Sequence, residues 1–196
     1  FDELTLLGCI SGLAWLMISI CWTRRSGLGQ LIWLCDLATF GTAVGLLSRS
    51  RLILTAQLVG TLIYHILWQV DFLLFFTLGY IPFKATAYMF SNDLTTYEKA
   101  LSFFQHTFIV PMCVWALFRL GVCRFGWIFQ TVQTCLAFLL TYLFTRPEEN
   151  INWIFGAGFA ELSPARISPG VYYLLMALLP PLLVYLPVNM IFFRLF

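Results

Sequence analysis

Six apolar stretches separated by short polar breaks dominate the pattern along the chain. A helix needs about 20 apolar residues to cross a bilayer, and most of these stretches are long enough. The predicted spans are Leu4–Trp22, Leu31–Leu47, Leu52–Leu78, Ala100–Phe118, Phe125–Phe144 and Val171–Phe193. The pattern therefore predicts an all-α, polytopic transmembrane bundle of about six helices, forming a single integral membrane domain over residues 1–196.

Length and proline content refine this prediction. The second stretch is short, so five or seven spans remain alternatives. Pro111 lies inside the fourth stretch and predicts a kink, whereas Pro180, Pro181 and Pro187 predict that the last span is bent or broken.

Six spans place both termini on one side of the membrane, together with the short basic turns Ser48–Arg51 and Arg119–Arg124. Short loops rich in arginine favour the cytoplasmic side. The first stretch follows Asp2 and Glu3 rather than a basic segment, so it is interpreted as a span and not as a signal peptide. The long loops 79–99 and 145–170 then share the opposite side.

Composition supports a membrane protein and excludes several other classes. The chain is 61% hydrophobic and 10% charged, and its net charge of +2 is too small to indicate nucleic-acid binding. Its six cysteines form neither a CxxC pair nor zinc-ligand spacing, so no metal and no cofactor is predicted. Membrane lipids are the predicted partners, and membrane-protein partners or a homo-oligomer remain open.

Four ionisable residues inside the spans are the candidate functional residues: Asp36, His65, Asp71 and His106. An aspartate at the centre of a membrane helix costs roughly 2.5–3.5 kcal/mol, so such groups face the bundle interior and often belong to a site. At a rise of about 1.5 Å per residue, Asp36, Asp71 and His106 fall roughly 8–10 Å below the long-loop surface. This matched depth predicts one polar pocket that opens toward the long loops.

Several neighbouring residues are candidates for the same pocket. His65 lies about 1.5 turns deeper than this layer. Thr39 follows Asp36 by three residues, and Asn152 enters from the loop on the same side. The alternative for all of them is structural, since these groups can satisfy one another through interhelical hydrogen bonds, and threonine often bonds to its own helix.

Cys35 directly precedes Asp36 and is the cysteine with possible chemistry. A nearby histidine would activate it as a nucleophile, whereas the adjacent carboxylate would oppose this. In this hypothesis His106 is the general base and Asp36 orients it. Asp71, Thr39, His65 and Asn152 are then the predicted substrate-binding residues.

Three short motifs carry a resemblance: Leu34-Cys35-Asp36-Leu37, the segment from His106 to Pro111, and Asn150-Ile151-Asn152-Trp153. In their order and helix placement they resemble the YwaF-like integral membrane proteins of bacteria. That family is related to transmembrane phospholipid acyltransferases and, more distantly, to androgen-induced fatty-acid-ester hydrolases. The resemblance implies a six-helix bundle in a bacterial inner (plasma) membrane, with Cys35 as nucleophile and His106 as base acting on lipid acyl groups.

Departures from the family pattern keep other functions open. Trp33 and Leu34 stand where the family has a proline before the cysteine. One alternative is a non-catalytic protein that uses Asp36, Asp71 and His106 for a small ligand or a proton-linked step. Another is a structural subunit of a larger membrane complex. A haem held by His65 and His106 is disfavoured, because the two residues differ in depth by over a turn.

Overall fold

The computed structural model describes residues 2–155 and 168–196. The helices in this part of the chain are α1 (Glu3–Ser26), α2 (Leu34–Leu47), α3 (Arg51–Leu78), α4 (Thr96–Leu120), α5 (Gly126–Phe144), α6 (Pro169–Pro180) and α7 (Leu186–Leu195). A π-helical turn, Pro181–Tyr185, joins α6 to α7 into one apolar rod. Among the described residues, five helical rods are long and apolar enough to cross a membrane, and α2 is a shorter apolar helix. The all-α, multi-pass membrane bundle is therefore confirmed.

The second helix begins later than predicted. A 3₁₀ turn covers Leu28–Ile32, and Trp33 has extended backbone angles that separate this turn from α2. Asp36 consequently lies in the first turn of α2, nearer to the loop side than the sequence estimate placed it.

The fourth helix begins a turn earlier than predicted, because Thr95 and Glu98 form a capping box. The Thr95 hydroxyl accepts a hydrogen bond from the Glu98 N–H, and the Glu98 carboxylate accepts one from the Thr95 N–H. This reciprocal pairing satisfies two donors that a helix start leaves free. His106 therefore lies ten residues after the first residue of α4, deeper than expected.

The prolines do not interrupt the helices that contain them. Pro111 lies inside a continuous α4, and the last span stays helical throughout its length. The extra residue of the π turn accommodates Pro181, since a π turn relieves the missing backbone donor. Of the two outcomes expected for the last span, bent or broken, the structure excludes the break.

Helix α3 occupies the centre of the bundle and packs against α2, α4, α5 and the last span. Gly60 faces α5 closely, since an added Cβ at this position would clash with the Gln130 side chain. Nearby, Gln57 of α3 donates a hydrogen bond to Gln133 of α5 across 3.0 Å. Small residues and paired amides are the usual means of holding membrane helices together.

Ion pairs connect the two short turns to the N-terminal residues at one end of the bundle. Arg49 is paired with Asp2, and Arg119 with Glu3 across 3.0 Å. Phe196 also packs edge-on against Phe118, with 5.8 Å between ring centroids. Both ends of the described chain therefore lie on the side of the short turns, as the six-span topology predicts.

Candidate functional site

The loop between α3 and α4 folds back onto the opposite end of the bundle. Asp71 fixes it, because one carboxylate oxygen accepts the N–H of Phe83 across 2.8 Å and the other that of Ala85 across 2.6 Å. Phe90 stacks on Phe75, with 3.5 Å between ring centroids. Asp71 is fully buried, and its hydrogen bonds go to this loop rather than to Asp36 or His106.

Tyr88 extends from this loop into a hydrogen-bonded group between α3 and α4. Its hydroxyl lies 2.6 Å from Ser102 Oγ and accepts the indole N–H of Trp68 across 3.1 Å. Burial raises the pKa of the Tyr88 hydroxyl. The phenol therefore stays neutral and acts as both donor and acceptor.

His106 is oriented from two sides. Its Nδ1 lies 2.8 Å from the Ser102 carbonyl oxygen, and its ring stacks on Trp68 with centroids 4.8 Å apart. A carbonyl only accepts hydrogen bonds, so Nδ1 carries the proton and Nε2 of the neutral ring keeps its lone pair. Within residues 2–155 and 168–196, no hydrogen bond reaches Nε2 of His106.

His65 lies against His106, and the ring centroids are only 5.0 Å apart. The difference in depth estimated from the sequence does not separate the two rings, since the side chains approach each other across the helix pair. The His65 residue is 4% exposed, and neither of its ring nitrogens has a partner among the described residues. An unsatisfied buried polar group costs about 1–3 kcal/mol and needs an explanation.

The two histidines line a groove between α3 and α4, which has a volume of about 250 Å³. Gln69 and Thr107 supply its other polar side chains. The remaining lining residues are apolar: Leu62, Ile66, Val70, Leu73, Val110 and Pro111. Ile66, Val70 and Leu73 are exposed on the bundle surface, so the groove faces the lipid. Neither Asp36 nor Asp71 lines it, which differs from the predicted pocket.

Asp36 is satisfied by a neighbour that the sequence argument did not consider. Gln105 Nε2 donates to its carboxylate across 2.6 Å, and both side chains are buried. Gln105 precedes His106 on α4, so this bond links α2 to the helix that carries the imidazole. Asp36 thus contacts the residue beside His106, while the imidazole ring of His106 forms its hydrogen bond with the Ser102 carbonyl.

Cys35 and Thr39 are close to one another at the start of α2. The Thr39 hydroxyl donates to the Cys35 carbonyl across 2.9 Å, as expected for a threonine that bonds to its own helix. The Cys35 thiol is free and the residue is half-buried. Its role as a nucleophile stays a prediction.

Asn152 connects the second long loop to the start of α2. Its side-chain oxygen accepts the N–H of Leu34 across 2.9 Å, and its amide nitrogen donates to the Ile32 carbonyl across the same distance. It thereby caps α2 from a distant part of the chain, a role normally filled by the residue preceding the helix.

Sequence reasoning missed Tyr88, Ser102 and Gln105. Ser102 could have been found, since it lies four residues before His106 on the same helix and so shares its face. Gln105 directly precedes His106 and points instead to Asp36 of α2, which helix spacing alone does not indicate. Tyr88 had no local signal, because it reaches the site through the folding of its loop.

Comparisons of the chain with protein-family models, with curated proteins and with solved structures find no match.

Proposed function

We propose that this membrane protein binds a single-chain, lipid-soluble amphiphile in the groove between α3 and α4. His65 is the observation that supports the proposal. A buried imidazole that forms no hydrogen bond with the described residues is costly, and it lines a groove whose walls are mainly apolar. A ligand with an apolar chain and a small polar group would compensate that cost.

The groove has the shape and surroundings for such a ligand. Its volume of about 250 Å³ is just below the roughly 300–1,000 Å³ of pockets for drug-sized molecules, so it suits one chain rather than a multi-ring compound. Apolar walls with few polar groups are typical of ligand sites. Its exposed rim lets a molecule enter sideways from the bilayer.

A groove-filling substitution tests this function. Val70→Trp places an indole in the groove without removing a hydrogen bond, and Val132→Trp places one on the exposed face of α5 as the matched control. In phosphatidylcholine vesicles, a photoreactive long-chain amphiphile should label peptides of α3 and α4 in the wild type. We expect Val70→Trp to reduce this labelling at least about tenfold and Val132→Trp to leave it unchanged. Equal labelling of all three proteins would refute the proposal.

A lipid acyl hydrolase or acyltransferase of the bacterial inner membrane is the second candidate function. The oriented imidazole of His106 supports it, because a general base needs a fixed ring with an available lone pair. The resemblance of the Cys35, His106 and Asn152 segments to the YwaF-like proteins supports the same candidate. In this alternative the Cys35 thiol gives its proton to His106 Nε2 and its sulfur attacks the acyl carbonyl. A thioester forms, the ester C–O bond breaks, and the departing alkoxide takes the proton from His106.

A further inference from the structure

We propose that the amphiphile in this groove is a lipid alcohol, whose hydroxyl group lies between His65 and His106. The inference rests on the proposed function and names the ligand's polar group. It follows from the hydrogen-bonding capacity of three residues that line the groove, His106, Thr107 and His65.

His106 presents an acceptor. Because its Nδ1 proton is directed to the Ser102 carbonyl, Nε2 offers a lone pair and no hydrogen. A ligand that bonds to this atom must therefore supply a donor. A ketone, an ester or an ether supplies none.

Thr107 adds a second acceptor on the same wall. In a regular helix its carbonyl would receive the N–H of residue 111, but that residue is Pro111, which has no N–H. Both residues line the groove. The backbone at this point therefore also favours a ligand that donates.

His65 supplies the complementary donor. A neutral imidazole carries one N–H and one lone pair, and both of its nitrogens lack partners among the described residues. The rings lie 5.0 Å apart, so in the proposed complex the His65 ring turns toward the groove and one oxygen bridges both imidazoles. A hydroxyl group fits this pair, since its hydrogen donates to His106 while its oxygen accepts from His65.

Size and charge restrict the ligand further. Among the described residues, no Lys, Arg, Asp or Glu lines the groove, so none of them would neutralise a phosphate or a quaternary amine there. The ligand class is thus a neutral lipid with a free hydroxyl, such as a long-chain alcohol or a monoacylglycerol.

Two photoreactive probes that differ in one group test the inference. The first is a long-chain alcohol with a diazirine in its chain, and the second is its methyl ether, which accepts but cannot donate. With the full chain in phosphatidylcholine vesicles, we expect the alcohol to label α3 and α4 about tenfold more strongly than the ether, since one good hydrogen bond at a buried site has roughly that effect. His65→Phe should abolish most of this preference while both probes still label.

The outcomes separate the two proposals. Equal labelling by alcohol and ether that Val70→Trp suppresses would overturn the lipid alcohol and leave the groove as a binding site. Labelling by either probe that Val70→Trp does not suppress would overturn the proposed function itself. The alcohol-to-ether ratio is measured on the wild type, so a folding defect in His65→Phe would not prevent a decision.

Discussion

Trp68 of α3 lies flat against His106 of α4, with planes inclined by 10° and ring centroids 4.8 Å apart. The same indole donates its N–H to Tyr88, whose hydroxyl also contacts Ser102, the residue one turn before His106. A single aromatic ring thus connects the imidazole to the loop that closes this end of the bundle. Fixed orientation of a polar side chain by packing and hydrogen bonds is what a binding or catalytic site requires.

Tyr88→Phe should therefore destabilise the protein although it removes only one oxygen. The change leaves the Trp68 indole N–H and the Ser102 hydroxyl without this partner, and both residues are buried. We expect the free energy of unfolding to fall by about 1–3 kcal/mol. Unfolding in mixed detergent micelles measures it.

The matched control is Tyr97→Phe, which removes a hydroxyl from an exposed tyrosine at the start of α4. This change should alter the free energy of unfolding by less than about 0.5 kcal/mol. Identical effects of the two substitutions would show that the Tyr88 hydroxyl contributes nothing beyond the ring.

The helices were largely predictable from sequence, because apolar run length determines whether a segment can span a bilayer. Boundaries were less predictable where a polar motif extends a helix. Thr95 and Glu98 have the spacing of a capping box, which would have placed the start of α4 a turn earlier. Because of that additional turn, His106 lies deeper than the sequence estimate gave. Asp36, Asp71 and His106 therefore do not share the one depth on which the predicted pocket depended.

The candidate site was only partly predictable, since long-range contacts decide which polar groups pair. Asp71 and Asn152 stabilise loops and a helix start through backbone groups, and no sequence spacing indicates such partners. The sequence places His65 deeper in the membrane than the other three ionisable residues, yet its ring contacts that of His106. The direction of a side chain, and not its depth alone, sets which residues meet.

Asp71→Asn should loosen the loop between α3 and α4 and leave the helices intact. An amide can accept with only one of its two groups, so one of the two backbone N–H groups loses its acceptor. Hydrogen bonds to a charged group contribute about 1.5–3 kcal/mol, so amide exchange at Phe83 or Ala85 should accelerate by roughly tenfold to a hundredfold.

Hydrogen exchange with fragment analysis over residues 79–95 is the measurement. Asp93→Asn in the same loop is the control, because Asp93 is exposed and only its backbone takes part in a hydrogen bond of the described structure. Unchanged exchange in Asp71→Asn would mean that the other contacts of the loop, such as the stacking of Phe90 and the hydrogen bonds of Tyr88, hold it without the Asp71 carboxylate.

The arrangement of the bundle predicts a definite accessibility pattern. In a background lacking the six native cysteines, Lys84→Cys and Arg146→Cys should react with a membrane-impermeant maleimide from one side. Ser48→Cys should react only from the other side, because Arg49 in its turn is paired with Asp2 at the opposite end of the bundle. All three positions are exposed. Labelling of positions 84 and 146 from opposite sides would contradict the six-span topology.

The last prediction concerns acyl chemistry at Cys35. A thiol that attacks a lipid ester must lose its proton to a base, and His106 Nε2 is an imidazole nitrogen with an available lone pair. If the protein is an acyl hydrolase or acyltransferase, Cys35→Ala should abolish covalent labelling by a lipid that carries an acyl-phosphonate group. Cys135→Ala is the control, since Cys135 is also a free, half-buried thiol but lies on α5. Labelling that persists in Cys35→Ala would exclude this cysteine as the nucleophile. Folded wild-type protein that the probe never labels would favour the non-catalytic binding function, because the groove needs no nucleophile to hold a lipid.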